Sequence, residues 1–103
     1  MFLLSVLKSD KPDKKYAATF CKCEKKDSCK GGNHLVKHFG LKGSTTYLDS
    51  QDETKKKNYI ARHQVNEDFN DPLTAGSLSR WLLWGPTTNL KKNIELFKKK
   101  FKL

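Results

Sequence analysis

Leu90, Ile94, Phe97 and Phe101 recur at intervals of four, three and four, and no other run in the chain constrains the fold as tightly. The spacing predicts a helix whose four apolar side chains fall within about 60° of arc. A helix with one apolar stripe gains most of its stability by laying that stripe against another apolar surface. Thr88 is the expected cap of this helix, and Gly85-Pro86 punctuates the chain before it. The surface it packs on must come from residues 1–85.

The first part of that surface reads as strands. Residues 2–7 and 15–23 are β-prone runs joined by Ser9-Asp10-Lys11-Pro12-Asp13-Lys14, a polar stretch with a proline that suits a hairpin connection. In the second run Tyr16, Ala18 and Phe20 alternate onto one face, and Ala17, Thr19, Cys21 and Cys23 onto the other. A charged loop from Glu24 to Asn33, turning at Gly31-Gly32, leads to a third strand at His34–Phe39, where Leu35, Lys37 and Phe39 share a face. Gly40 and Gly43 close it, and with Gly76 they mark tight backbone positions. Short connections favour neighbouring antiparallel strands.

The remainder reads as helices. Ser50-Gln51-Asp52-Glu53 has the form of a capping box opening a helix to about Gln64, with Tyr59, Ile60 and His63 on its apolar side. Pro72 precedes a second helix at about 75–84, capped by Thr74, with Leu78, Trp81 and Leu82 on one stripe and Leu83 and Trp84 pointing elsewhere. The expected fold class is therefore α+β: a three-stranded antiparallel β-meander followed by three α-helices. At 103 residues the chain suits a single domain with one core, β-rich over 1–40 and helical over 50–103. Phe39, Tyr59, Ile60, Leu78, Trp81, Leu82, Ile94 and Phe97 are the expected core, and Arg80 is expected to pair with an acid such as Asp71 or Glu67.

Charge narrows the function. The net charge is +10, and it is unevenly spread. Residues 1–40 hold nine Lys against four acids (+5), residues 41–85 balance at six and six, and residues 86–103 hold six Lys against Glu95 (+5). Such a chain attracts polyanions or an acidic protein face. Apart from Arg62 and Arg80 the cations are all Lys, which meets phosphate as a point charge and lacks the planar fork that reads bases. The apolar run Phe2–Leu7 lacks the features of a secretion leader and falls short of the ~20 residues a spanning helix needs. Three Cys, an odd number, in a Lys-rich chain suit a reducing compartment.

Chemistry is sparsely provided for. Cys21, Cys23, Cys29, His34 and His38 are zinc-type ligands in an 18-residue window, but C-x-C is not the usual knuckle spacing and no second pair matches it. Buried or incidental thiols are the plainer reading. His63 reads as a hydrogen-bonded core histidine, and no nucleophile elbow, phosphate loop, Rossmann glycine pattern or EF-hand loop is present. The expectation is a protein that is not an enzyme and needs no cofactor. The contact surface is expected on the last helix: Lys91, Lys92, Lys98, Lys99 and Lys102, with Leu96 and Leu103 opposite the buried stripe and Trp84 as an aromatic anchor.

One set of residues carries a resemblance. His38-Phe39-Gly40, Lys42-Gly43, the segment from Lys55 to His63, Glu67, the run from Asn70 to Trp84 and the closing Leu90–Phe101 segment resemble a family of small uncharacterised basic proteins of large icosahedral double-stranded DNA viruses, the giant viruses of algae and amoebae. The resemblance covers about residues 34–103, and the cysteine cluster and the loop at 24–33 depart from its pattern. It implies a viral, virion-associated protein and no particular activity. Two function classes follow. One is a minor capsid protein cementing capsomers from the inner face, bound to the major capsid protein and other minor capsid proteins, located in the virion and, during assembly, in the host cytoplasm. The other is a sequence-nonspecific nucleic-acid-binding protein that packages or condenses the genome. The balanced charge of the 41–85 block, which holds the strongest matches, favours the first.

Overall fold

The computed structural model describes residues 1–22 and 34–103. The chain forms the expected α+β fold. Strands β1 (Phe2–Lys8), β2 (Lys14–Cys21) and β3 (His34–Leu41) make an antiparallel sheet in the order β1-β2-β3, with β2 central. On β2 the predicted alternation holds as far as Phe20: Ala18 and Phe20 are fully buried and Tyr16 packs beside them, while Cys21, expected on the other face, is buried as well. Phe39 and Leu35 stand opposite Tyr16 and Phe20 and complete that face. β1 does not alternate throughout. Its register slips between Leu3 and Ser5, so Leu3 and Val6, three residues apart, oppose Phe20 and Ala18 on the same side.

The helical part contains one element more than expected. A single turn, α1 (Tyr47–Ser50), carries the capping box: the Thr46 N–H donates to Asp49 Oδ2 (3.0 Å). That displaces the predicted box at Ser50–Glu53. Ser50 is the last residue of α1, and Gln51 turns the chain through a left-handed φ of 53°. Asp52 is the next residue with extended backbone, so Asp52 caps α2 (Glu53–His63), accepting from Thr54 N (2.9 Å) and Lys55 N (3.2 Å). No residue of α2 is buried. Tyr59 and Ile60 therefore lie outside the core in which they were expected, because a helix bearing Lys55, Lys56, Lys57 and Arg62 has too narrow an apolar side to be enclosed.

Thr74 caps α3 (Ala75–Leu78) as predicted, its Oγ1 accepting from Ser77 N (3.1 Å). The helix then widens into a π turn over Ser79–Leu83, where Trp84 N donates five residues back to Ser79 O (3.0 Å). A wheel drawn at 100° per residue fails there. Leu83, expected to point away, is buried at 1% exposure beside Leu78 and Leu82. It reaches the sheet over Gly40, where a Cβ would stand 2.9 Å from Leu83 Cδ1 and the backbone is left-handed (φ 79°).

The last helix, α4 (Leu90–Phe101), buries Phe97 and packs Leu90, Ile94 and Phe101 against the core, as its period requires. Asn89 rather than Thr88 caps it, accepting from Lys92 N (3.1 Å). Within it Asn93 is fully buried and hydrogen-bonded on every side. Its Nδ2 donates to Leu82 O (3.1 Å) and Thr87 O (2.9 Å), and its Oδ1 accepts from Thr87 N (3.0 Å) and Thr87 Oγ1 (2.7 Å). Replacing Asn93 by Ala strands several buried polar groups and should cost about 3–5 kcal/mol. The check is the urea midpoint; a midpoint near that of the wild-type chain would show that Asn93 does not hold this corner.

Candidate functional site

With α2 held off the core, a cleft of about 910 Å³ opens between it and the body of the protein. Gly40 and Leu83 lie at its base, Tyr59 and Trp84 along its wall, and the exposed Lys55 and Arg62 at its rim together with Lys14. Lys55, Asn58, Tyr59 and Arg62 all line it because positions spaced three and four apart share one side of a helix. That spacing was legible in the sequence; the role of the helix as one wall of a cleft was not.

Aromatic stacking defines the wall. The Tyr59 ring stacks on Trp84 (centroids 4.5 Å apart, planes at 8°) and on His63 (4.2 Å, 28°). Burial raises the pKa of the Tyr59 phenol to about 12, with the nearby Glu67 carboxylate adding to the effect. Glu67 Oε1 lies 3.6 Å from His63 Nδ1, while Oε2 is shut off from solvent and has no hydrogen-bond partner among the described residues. The carboxylate occupies the space over Gly76 that a side chain would need. His63 is thus a half-exposed stacking residue, not the core histidine its helix position suggests.

Arg80 does not pair with Asp71 or Glu67. Its Nη1 donates to Trp84 O (2.8 Å), and its guanidinium lies 4.2 Å from the Trp81 ring centre. Burial lowers its pKa, because a half-buried charge is poorly solvated. Lys100 approaches the same Trp81 ring (4.7 Å), whose Nε1 donates to Phe69 O (2.7 Å). Trp81 is therefore a half-buried member of the core margin, held by its polar edge as well as its faces.

The residues expected at a partner surface divide. Lys91, Lys92, Lys99 and Lys102 are exposed on or beside α4, and Leu96 is 38% exposed among them; Lys98 is half-buried. Trp84 and Leu103 leave this group, since both pack against the core. Leu103 is not on the far face of the helix: Lys102 adopts a left-handed φ of 56° and Leu103 N donates back to Lys98 O (2.8 Å), which folds the last residue inward. Of the metal candidates, Cys21 is buried and disulfide-bonded, so it does not offer a thiolate, contrary to the free thiol and reducing surroundings expected from the cysteine count. His38 Nδ1 is hydrogen-bonded to Ser9 Oγ (2.7 Å), His34 is exposed, and Cys23 and Cys29 lie outside the described residues. Among the described residues no three His, Cys, Asp or Glu side chains gather closely enough to hold a metal, and no helix is long and apolar enough to cross a membrane.

A family model described as a family of unknown function, DUF5754, matches residues 4–63, from β1 through the end of α2. Neither the curated proteins nor the solved structures show a significant match.

The Tyr59 environment has a spectroscopic consequence. Its raised pKa means the folded state holds the phenol proton more tightly than the unfolded state. The associated stabilisation is complete below an unfolded value of about 10 and is lost as pH climbs towards the folded value. Alkaline absorbance titration should show a phenol ionising near pH 12, and Tyr59→Phe should remove that step. Ionisation of every tyrosine near the ordinary value would contradict the half-buried stack.

Proposed function

The chain belongs to DUF5754, a family of unknown function, and on that footing we propose that it is a non-enzymatic structural protein that docks a cationic helix face on an acidic protein surface. The context we propose is the inner side of a large DNA virus capsid, where the chain acts as a minor component cementing capsomers. The observation that carries the reading is the two-sided build of α4. One side seats Phe97 and its neighbours in the core, and the exposed remainder carries Lys91, Lys92 and Lys99, with the partly exposed Leu96 on the side of Lys92 and Lys99 and Glu95 as the one acid among them. An apolar contact flanked by cations suits a docking surface, with charge setting orientation and partner choice.

Two features of the cleft support binding over turnover. The Tyr59 phenol is pushed away from neutral titration, and His63 is engaged with Tyr59 and Glu67. The aromatic residues also favour a protein partner over single-stranded nucleic acid. Tyr59, Trp81 and Trp84 spend ring faces on one another, on Arg80 and on Lys100, which leaves less surface for stacking bases.

The test is co-sedimentation of the full chain with purified, nuclease-treated capsid shells. The triple variant Lys91→Glu, Lys92→Glu, Lys99→Glu should retain its melting temperature and bind roughly tenfold or more weakly. Wild-type-like binding by that variant would reject the α4 surface. Failure of the wild-type chain to bind nuclease-treated shells, with tight salt-sensitive binding to duplex DNA, would replace the capsid reading with genome packaging.

A further inference from the structure

A second depression lies at the loop end of the sheet, and the docking reading makes no use of it. Strand register builds it. Lys8 ends β1 opposite Tyr16, and Lys14 opens β2 opposite Leu41. Lys42 N donates to Asp13 O (3.0 Å), and Ser9 N donates to Lys15 O (3.0 Å), so the hairpin connection and the end of β3 are tied together. Four lysines that are scattered in sequence, Lys8, Lys14, Lys15 and Lys42, thereby line one hollow of about 380 Å³. That is roughly the room a dozen water molecules take up in the liquid. Gly43, in a left-handed conformation (φ 88°), also lines it, with nothing within 4 Å of where a Cβ would stand.

The charge in this hollow is largely uncompensated. Lys15 is engaged, donating to the Ser44 carbonyl and lying 3.5 Å from Asp49 Oδ2. Among the described residues, Lys8, Lys14 and Lys42 form no ion pair, not even with Asp10 or Asp13 in the adjoining connection. Lysines on an ordinary solvated face can spread apart, whereas lysines lining one concavity repel one another across it. A multivalent anion seated there converts that repulsion into attraction. Lysine suits phosphate in particular, as a compact charge with three donors.

We propose that this hollow binds phosphoryl groups, with Lys8, Lys14 and Lys42 as the principal contacts and Lys15 as a tethered fourth. Its size favours a short run of linked phosphates over a single ion. The phosphates can come from a free polyphosphate or from a nucleic-acid backbone.

The experiment is calorimetric titration of the full chain with tripolyphosphate at low salt. The double variant Lys14→Gln, Lys42→Gln is compared with Lys91→Gln, Lys92→Gln, which removes equal charge from α4. We expect saturable binding that falls roughly tenfold or more in the first variant and less than about threefold in the second. Melting temperatures confirm that each variant folds, and Lys8→Gln, Lys42→Gln replaces the first if it does not. Absence of saturable binding, or equal losses in the two variants, overturns the site. A short duplex then identifies the source. If it displaces tripolyphosphate and loses affinity in the Lys14/Lys42 variant, the phosphates are those of nucleic acid; if it does neither, the site takes a free polyphosphate.

Discussion

The helical part of this protein turns on the buried Asn93 amide. Two carbonyls and two donors converge on it from the end of the π turn and from the Thr87 loop. Without it, the segment between α3 and α4 would bury backbone groups with no partners, a far larger penalty than the modest net gain of an ordinary surface hydrogen bond. Gly85 belongs to the same arrangement. A side chain there would collide with the Trp81 carbonyl and crowd Asn93 Nδ2. The sharp return of the chain, and with it the angle at which α4 crosses the core, rests on this polar corner.

The corner is bonded to the π turn through Leu82 O, and the π turn decides which residues the sheet receives. By widening after Leu78 it places Leu82 and Leu83 together in the core and lets Leu83 lie on Gly40. Trp84 is left at the margin, where it meets Tyr59 and draws α2 alongside without enclosing it. The cleft is the consequence. A polar helix held to the body by Tyr47 at its start and by the Tyr59–Trp84 stack further along leaves a gap, and the gap inherits the cations of α2 and Lys14.

Among the described residues, basic charge is thus organised in three places rather than two. α4 presents an exposed cationic face, the cleft rim carries Lys14, Lys55 and Arg62, and the hairpin hollow gathers lysines from β1, β2 and the turn after β3. Lys14 lines both depressions, so the second and third surfaces adjoin. In linear sequence the N-terminal excess of positive charge has no shape; antiparallel pairing makes it concave.

The sequence alone determined the features that repeat along the backbone. Alternation in Tyr16, Ala18 and Phe20 required a strand with one buried face, and the 4-3-4 spacing from Leu90 to Phe101 required an amphipathic helix; both hold, with the meander and the Thr74 cap. Such features are local, so their signals lie within a few residues of each other. The slip after Leu3, the transfer of the cap from Ser50 to Asp52, the π turn, the inward fold of Leu103 and the role of Asn93 were settled only by tertiary structure. Each depends on which distant group is available to fill a space or accept a hydrogen bond. An asparagine in a lysine-rich helix reads as surface until the carbonyl of Leu82, eleven residues earlier, is brought against it.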